Sequence, residues 1–331
     1  MSEIRVLSDE DVARVLDLDS LLNVLDDAFV ADHRGAVERP DRPHFPVGTG
    51  LDPEQPDAPL GTGLVMPAYV HGANYYATKV VGVFEGNTRE GLPTVNATVV
   101  LTDAGTGMPV SYLAGTRLTN ARTGCIGGLA ARELAADPTA VDLGVIGAGT
   151  QARWQARAIA AATNVERVRV FSPSDSRYAC ADDLEDELGV PAEAVSAPRE
   201  AIREADVLVT ATTATEPVFP GEALASGTTV IAVGAYTAGT RELDSGTIER
   251  ADRVVADVPA EAIETGDFRH TDLDVDDLLA LGAVCDGAAG RETMEEIVVA
   301  KSVGTAVADA AAAEHLYDLA VGRNAGVTVP L

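Results

Sequence analysis

The residues best suited to chemistry in this chain lie in the segment Gly147-Ala-Gly-Thr-Gln151. It follows a short apolar run and precedes residues 151–164, which have the spacing of a helix. Gly147 permits a tight turn, Gly149 lets the main chain approach a diphosphate, and Ala152 allows close contact between helix and strand. The first N–H groups of such a helix attract phosphate oxygens. The pattern predicts a dinucleotide site, and a glycine-rich turn that merely packs is the alternative.

A second chemical signal is the scarcity of lysine. Lys79 and Lys301 are the only lysines, and the other strongly basic residues are all arginines. Both lysines could simply remain at ordinary ion-pairing sites. The alternative is that the chemistry at these positions needs an amine. A lysine amine, unlike a guanidinium, can lose its proton near neutral pH when it is desolvated or lies beside other cations.

Composition and charge limit the classes of partner. The chain has 331 residues, which is room for two domains, and a net charge of −28 from 52 acidic and 24 basic residues. Nucleic acid and anionic membranes are therefore poor partners. The acids are spread along the chain, a pattern typical of proteins from a very salty cytoplasm, where ions screen the repulsion.

The three cysteines are odd in number and widely spaced, which argues against a disulfide framework and indicates a reducing cytoplasm. The start of the chain lacks the basic and apolar regions of a signal peptide, and no run is long and apolar enough to cross a bilayer. The five histidines show no metal-ligand spacing, so no metal is expected.

The elements that would position these residues follow from apolar periodicity. Ser8 is expected to cap a first short helix, and a second helix is predicted to begin at Ser20 and to end at Gly35. Residues 36–63, rich in Pro, Gly and Asp, are predicted to form a long loop. Strands are predicted at residues 77–84, 94–102, 110–113, 168–171, 207–212, 229–235 and 254–258.

Three connections complete this interpretation. The turn from Asp103 to Gly107 is predicted to join two strands as a hairpin. A helix over residues 120–136 leads into the dinucleotide-binding half. A long Ala-rich helix is predicted from Lys301 to Gly322 and is expected to pack on the first domain.

Taken together, the motifs resemble one family, the ornithine cyclodeaminase/mu-crystallin family, over nearly the whole chain. The segments that carry the resemblance are Arg42-Pro-His-Phe-Pro-Val47, Val65-Met-Pro-Ala-Tyr69, Thr78-Lys-Val-Val81, the Asp103–Gly107 turn, Leu118-Thr-Asn-Ala-Arg-Thr123, Gly147-Ala-Gly-Thr-Gln151, Ala214-Thr-Glu-Pro217, Ala232-Val-Gly-Ala235, Arg241-Glu-Leu-Asp244 and Lys301-Ser-Val-Gly304.

The resemblance implies an α/β fold with two domains and a homodimer. Residues 126–299 would form a Rossmann-type, doubly wound dinucleotide-binding domain. Residues 1–125 with 300–331 would form an α+β substrate-binding and dimerisation domain. The resemblance also implies hydride transfer between a nicotinamide and the α-carbon of a small amino or imino acid. Family members include ornithine cyclodeaminase, an alanine dehydrogenase and reductases of cyclic ketimines.

On the substrate side, Arg42 and Arg122 match the family's arginines for the substrate carboxylate, which a guanidinium fork holds in a bidentate manner. Ordinary surface ion pairs are the alternative for both. Lys79 matches the catalytic lysine, and a buried lysine paired with a structural carboxylate is its alternative. Thr94 matches a substrate-side hydroxyl, or else it is a β-branched strand residue.

On the cofactor side, an NAD(P)(H) site is expected. Its predicted residues are Thr123, Gly147, Ala148, Gly149, Thr150, Gln151, Ser172, Ser174, Arg177, Thr212, Val233 and Lys301. Ser172 replaces the acid that usually binds the ribose diol of NAD, and Ser174, Ser176 and Arg177 are suited to a 2′-phosphate. Asp175 opposes that assignment. The balance favours NADP(H) slightly.

One departure from the family pattern bears on the reaction. Cyclodeaminases carry an aspartate after the Ala232–Ala235 turn, where this chain has Tyr236, a predicted substrate contact. A phenol with a pKa near 10 supplies no negative charge at neutral pH, and Asp244 could replace the aspartate only if its loop folds back. The leading hypothesis is therefore a ketimine reductase or alanine dehydrogenase. The alternatives are ornithine cyclodeaminase, with recycled NAD, and a non-catalytic NADP(H)-binding protein.

Overall fold

A computed structural model of the chain describes residues 3–331, the side chain of Thr88 excepted. The described chain divides into two compact units. The first unit comprises residues 3–17, 34–122 and 305–331, and the second comprises residues 18–33 and 123–304. Each unit therefore contains segments that are distant in sequence.

The strands are short to medium in length, and the longest helix is α3. The strands are β1 (Glu3–Leu7), β2 (Val37–Glu38), β3 (His44–Val47), β4 (Gly61–Val70), β5 (Tyr75–Val83), β6 (Val95–Asp103), β7 (Pro109–Ala114), β8 (Val141–Ile146), β9 (Val165–Phe171), β10 (Ala192–Ala194), β11 (Val207–Thr210), β12 (Thr229–Ala232), β13 (Arg253–Ala256), β14 (Leu278–Ala280), β15 (Val298–Lys301) and β16 (Val327–Pro330). The helices are α1 (Asp9–Val15), α2 (Leu18–His33), α3 (Gly115–Leu134), α4 (Thr150–Ala162), α5 (Ser176–Leu188), α6 (Pro198–Ile202), α7 (Ser245–Glu249), α8 (Pro259–Ala262), α9 (Leu281–Cys285) and α10 (Ala306–Gly322), with 3₁₀ turns at Glu85–Glu90, Gly221–Ala223 and Val275–Asp277.

The first unit is built on a mixed sheet of eight strands in the order β16-β1-β7-β6-β5-β4-β2, with β3 paired to β4. The central strands β4 to β7 are antiparallel. Helix α10 packs on β4, β5 and β6. Because side chains alternate along a strand, one face of β5 is buried at Ala77, Lys79 and Val81, while Tyr76 and Val80 on the other face are exposed.

The second unit is built on a parallel sheet of eight strands in the order β10-β9-β8-β11-β12-β15-β13-β14. The chain runs outward from β8 to β10 and then returns to the other side of β8 at β11. This reversal is the topological switch point of a doubly wound Rossmann-type sheet, beside which ligands bind at the carboxyl ends of the strands. The predicted α/β fold class, with a Rossmann-type domain and a second α+β domain, is confirmed.

Two local predictions are confirmed by hydrogen bonds. Ser8 caps α1 in a capping box, in which its side chain accepts from the Asp11 N–H and Asp11 accepts from the Ser8 N–H. In the hairpin between β6 and β7, Asp103 Oδ1 accepts from the Thr106 N–H at 2.7 Å, and Gly107 has a φ of 72°, which favours glycine.

Two predictions of local structure are wrong. The helix expected from Lys301 begins only at Ala306, because Lys301 ends strand β15 and Gly304, at a φ of 79°, breaks the chain between the two elements. The predicted loop at residues 36–63 contains β2, β3 and the start of β4. These edge strands carry Pro and Gly and lack a clear alternation of apolar residues, so the sequence pattern hides them.

Two boundaries also differ from those predicted. Helix α2 begins at Leu18 rather than Ser20, and it groups with the second unit because it packs on α9 and α4. Helix α3 begins at Gly115, five residues before the predicted start, and the boundary between the units falls after Arg122. Among the described residues, no helix combines the length and the apolar character needed to cross a membrane.

Candidate functional site

Lys79 lies in the middle of β5, opposite Met66 of β4 and Val99 of β6. Its position on the buried face of the strand follows from the alternation of side chains along β5. The residue is 1% exposed, although a lysine is rarely buried without a partner. The sequence therefore places an amine inside the first unit, where it needs a counter-charge.

Asp309 supplies that counter-charge. It lies in the first turn of α10, where the partial positive charge of the helix N-terminus favours a carboxylate. Its Oδ2 lies 2.6 Å from Lys79 Nζ, and its Oδ1 accepts from Arg122 Nε at 2.8 Å. One buried carboxylate thus holds the lysine and the arginine side by side. We call Lys79, Arg122 and Asp309 the Lys79 cluster.

The Lys79 cluster has more positive than negative charge. Burial lowers the pKa of Lys79 to about 8, the Asp309 charge opposes this, and the charges of Arg122 and Arg42 lower the pKa further. Burial raises the pKa of Asp309, but the Arg122 and Lys79 charges outweigh it, and the net pKa is lowered. Two cations share one anion, and a third cation acts on the same amine. Such an excess suits the binding of an anionic ligand.

The other two residues predicted on the substrate side also belong to the first unit. Arg42 is half-buried and precedes β3, and its charge reaches Lys79. Thr94 is half-buried and lies just before β6, where its carbonyl accepts from the Phe84 N–H at 2.8 Å. The structure therefore brings Arg42 and Arg122 to the electrostatic environment of Lys79 and places Thr94 at the end of the adjacent strand.

In the second unit, the glycine segment forms the turn between β8 and α4. Gly147 has a φ of 119°, and a Cβ there would lie 2.4 Å from the Ala211 carbonyl oxygen. A Cβ at Gly149 would meet nothing within 4 Å, so the main chain there is open to a ligand. Gly149 is the N-cap of α4 and provides no side-chain cap, which leaves the first N–H groups suited to a diphosphate. These residues fit a dinucleotide.

Further predicted cofactor residues also lie in the second unit. Thr150 and Gln151 open α4, and the Ala148 carbonyl accepts from Arg153 Nη1 at 2.6 Å. The Thr123 carbonyl, in α3, accepts from Gln155 Nε2 at 2.8 Å. Thr212 and Val233 follow β11 and β12, so they share the carboxyl edge of the sheet with the glycine turn.

The segment after β9 is a network of hydroxyl groups and one guanidinium. Ser174 Oγ lies 3.3 Å from Ser172 Oγ and 2.6 Å from Ser176 Oγ. Arg177 Nη1 donates to the Ser172 and Ser174 carbonyls at 3.2 and 2.9 Å. The guanidinium also lies 4.6 Å from the centre of the Tyr178 ring. The arginine therefore orders the loop on which the serines stand.

Three other residues singled out in the sequence lie in the second unit. Lys301 ends β15, and its fully buried amine lies 2.5 Å from Asp267 Oδ2. Tyr236 is 42% exposed and follows the turn after β12. Asp244 is the N-cap of α7, where it accepts from the Thr247 N–H at 2.7 Å and the Gly221 N–H at 3.0 Å. A structural role therefore occupies Asp244, which makes it a poor replacement for the missing aspartate.

Sequence reasoning missed the buried acids Asp309, Asp267 and Glu242. The chain has 52 acidic residues, so acidity alone identifies none of them. The available signal was context: Asp309 stands between alanines in a helix that has a largely buried face, and Glu242 belongs to a motif already noted. An isolated acid in an apolar stretch indicates a buried partner of opposite charge.

Comparisons with known proteins identify the family to which the sequence is similar. The sequence model of the ornithine cyclodeaminase/mu-crystallin family matches residues 3–324. A Δ1-pyrroline-2-carboxylate reductase of Bacillus cereus is 39% identical over 271 residues, which cover 80% of this chain and 83% of that protein.

Two solved structures extend the comparison to the fold. The Δ1-pyrroline-2-carboxylate reductase of Thermococcus litoralis, in complex with NADH and L-proline, superposes with a TM-score of 0.91 at 31% identity, over 98% of this chain and all of that one. An archaeal alanine dehydrogenase dimer with bound NAD superposes with a TM-score of 0.87 at 30% identity over the full length of both chains.

Proposed function

This chain belongs to the ornithine cyclodeaminase/mu-crystallin family, and from that premise we propose that it is a nicotinamide-dependent reductase of small imino acids. The proposed substrate is a cyclic ketimine such as Δ1-pyrroline-2-carboxylate, and the reverse reaction oxidises the corresponding amino acid. Alanine and pyruvate with ammonia form the second candidate pair. One relative is a Δ1-pyrroline-2-carboxylate reductase and another is an alanine dehydrogenase, and the similarity to each covers most of this chain.

The observation that carries the proposal is the Lys79 cluster. Arg122, with Arg42, is proposed to bind the carboxylate of the imino acid, because the excess of cations around Asp309 attracts one anion. Lys79 is proposed to give its proton to the substrate nitrogen, since a pKa of about 8 makes it both an ammonium at neutral pH and an effective acid. The bound nicotinamide supplies the hydride that the imine carbon receives.

For the cofactor, the proposed residues are those of the carboxyl edge of the parallel sheet. The open main chain at Gly149 and the uncapped start of α4 would hold the diphosphate. We propose a modest preference for NADP(H), because the serine hydroxyls and Arg177 after β9 suit a 2′-phosphate. Asp175 is 94% exposed beside Arg177 and keeps that preference small.

A homodimer formed through the first unit is also proposed. Tyr76 and Val80 are 37% and 51% exposed on the face of the sheet opposite Lys79, and Val65 lies directly across from Val80 on β4. An exposed apolar sheet face suits a second copy of the chain. Light scattering of the native protein and of V80E tests this, with a dimer expected for the former and a monomer for the latter.

The charge and the cysteines of the chain support two further proposals about its setting. Both lysines are buried, so the surface carries arginine as its only strongly basic side chain against a net charge of −28. We expect stability to rise with potassium chloride into the molar range, measured by thermal unfolding, because salt screens the repulsion. The three cysteines are free thiols, which supports the predicted reducing, cytoplasmic setting.

The test of the activity is an absorbance assay at 340 nm in molar potassium chloride. The purified protein receives NADPH or NADH with Δ1-pyrroline-2-carboxylate, and a rapid loss of absorbance is expected. Pyruvate with ammonium is the parallel substrate. A flat trace with folded, cofactor-binding protein would reject the reductase. Release of ammonia from ornithine in the presence of NAD then tests the cyclodeaminase, because recycled NAD gives no net change in absorbance at 340 nm. If the protein binds the cofactor but turns over neither the reductase substrates nor ornithine, the non-catalytic binding protein is the remaining alternative.

A further inference from the structure

Glu242 is a fully buried carboxylate that accepts five hydrogen bonds. Its Oε1 accepts from the N–H and the hydroxyl of Thr212, at 2.7 and 2.9 Å. Its Oε2 accepts from the Thr210 hydroxyl at 2.9 Å and from the Gly234 and Ala235 N–H groups at 2.7 and 3.3 Å. A single carboxylate therefore joins the main chain after β11 to the main chain after β12.

The segment that Glu242 holds also touches the glycine turn. The peptide group between Ala211 and Thr212 directs its N–H to Glu242, and its carbonyl oxygen is the atom that a Cβ at Gly147 would approach to 2.4 Å. A Cβ at Gly234 would lie 2.1 Å from the Thr212 carbonyl oxygen and 2.5 Å from Glu242 Oε1. The two glycines are thus required by close packing around the consecutive peptide groups on either side of Thr212.

Below this contact, Glu242 is itself held by a second buried acid. Asp267 Oδ1 accepts from the Glu242 and Leu243 N–H groups, at 2.7 and 2.9 Å. Asp267 Oδ2 lies 2.5 Å from Lys301 Nζ at the end of β15. We call Glu242, Asp267 and Lys301 the Glu242 cluster. It connects the carboxyl ends of the neighbouring strands β11, β12 and β15.

We propose that Glu242 is a positioning residue of the dinucleotide site, which fixes the main chain after β11 and β12 against the glycine turn without touching the cofactor. The inference rests on the proposed function only in that the site binds a nicotinamide dinucleotide. Lys301 then acts on the site indirectly, through Asp267, and not by direct contact with the cofactor.

The chemistry of the acceptor makes the carboxylate hard to replace. Three of the five donors are main-chain N–H groups, which cannot be turned round to accept. A glutamine at this position would place its NH₂ group against at least one of these donors. That segment would move away from the glycine turn, since a buried donor left without an acceptor is strongly unfavourable.

The experiment measures NADH and NADPH binding by fluorescence, without substrate, for the native protein and E242Q. We expect E242Q to bind the preferred cofactor about tenfold more weakly or worse, as for loss of a buried hydrogen bond to a charged group. The KM of E242Q for the imino acid should change much less than its KM for the cofactor. A merely structural role would alter both KM values and the unfolding temperature together.

D244N is the matched control. Asp244 lies two residues away and also accepts from main-chain N–H groups, but it holds Gly221 and Thr247 instead of the strand ends. D244N should lose stability and keep its cofactor affinity. If E242Q does not fold, T210V removes one donor of the five while it keeps the shape of the side chain, and a weaker effect of the same sign is expected.

Unchanged cofactor affinity in folded E242Q, or equal losses in E242Q and D244N, would overturn the inference. Because the readout is binding, the inference is separable from the reductase proposal. A native protein that binds cofactor and reduces no imine would refute the reductase and leave the positioning role of Glu242 to be judged by the same titration. A native protein that binds neither cofactor would refute both.

Discussion

The Lys79 cluster and the Glu242 cluster each hold one of the chain's two lysines, and they balance charge in opposite ways. Lys79 shares a single carboxylate with Arg122, and Arg42 acts on the same amine. Lys301 faces Asp267, and burial raises the pKa of Glu242 although the charge of Lys301 opposes this. The first cluster has surplus positive charge, whereas the second has surplus negative charge that main-chain N–H groups stabilise.

This difference separates two uses of a buried lysine that look alike in the sequence. Burial is equally deep in both, so depth does not distinguish a reactive amine from a structural one. The balance between carboxylates and cations in each cluster does distinguish them. A cluster short of anions can accept one from a ligand, whereas a cluster whose carboxylates are already bound is complete without any ligand.

The largest expected effect comes from removing the amine of the Lys79 cluster. In K79M, Asp309 keeps Arg122 as its partner, so the variant should fold, bind cofactor and lose about a thousandfold in kcat for imine reduction, the usual range for a lost general acid. Steady-state kinetics with a fluorescence titration of the cofactor would measure this. Full activity in K79M would show that Lys79, like Lys301, is a structural lysine.

The converse effect is expected in K301M, on stability. Removal of Lys301 leaves Asp267 and Glu242 buried without a cation, which should lower the free energy of unfolding by about 3–5 kcal/mol. Urea denaturation would measure the loss, and K79M should lose less than half as much. The double variant K301M/D267N should recover part of the loss, since it removes both partners of the ion pair. Equal stability of K301M and K79M would contradict the assignment.

A smaller effect is expected from pH, because the pKa of Lys79 is about 8. Reduction needs the ammonium, so kcat/KM should be level below this pH and fall about tenfold per unit above it. Amino acid oxidation needs the free amine and should rise up to about pH 8. The pKa of Lys79 in the folded protein lies below the usual value of 10.5. The contribution of Lys79 to the stability of the fold should therefore increase as the pH rises from about 8 to 10.5. A profile of kcat/KM against pH that has no inflection near pH 8 would count against Lys79 as the proton donor.

The smallest effect is expected in cofactor choice. R177A should weaken the binding of NADPH relative to that of NADH by a few-fold only, which is the usual effect of losing a partly exposed charge contact. The effect should be small because Arg177 also donates to two carbonyls of its own loop. The ratio of kcat/KM values for the two cofactors would measure it, with D175N as the opposite change. A shift toward NADPH in R177A would reverse the assignment of the loop.

Much of the second unit could be predicted from sequence because its signals are local. The apolar run of β8, the glycines after it and the helix that follows are adjacent in the chain, and their physical roles are specific. Edge strands β2 and β3 could not be predicted, because they are short, rich in proline and paired through a distant strand.

The substrate side could be predicted only in part. Lys79 and Arg122 were found by residue type and motif, but their connection through Asp309 depends on α10, which returns from the far end of the chain. Glu242 was overlooked in favour of Asp244 in the same motif, because burial decides between them and burial is a property of the tertiary structure.

The burial of both lysines has a consequence for chemical labelling. Acylating reagents attack unprotonated amines, and the native surface offers them no lysine side chain. Each unit therefore carries one internal reporter, Lys79 in the first and Lys301 in the second. The rate at which each lysine becomes acylated, followed by mass spectrometry of the two peptides, would measure how often each unit opens.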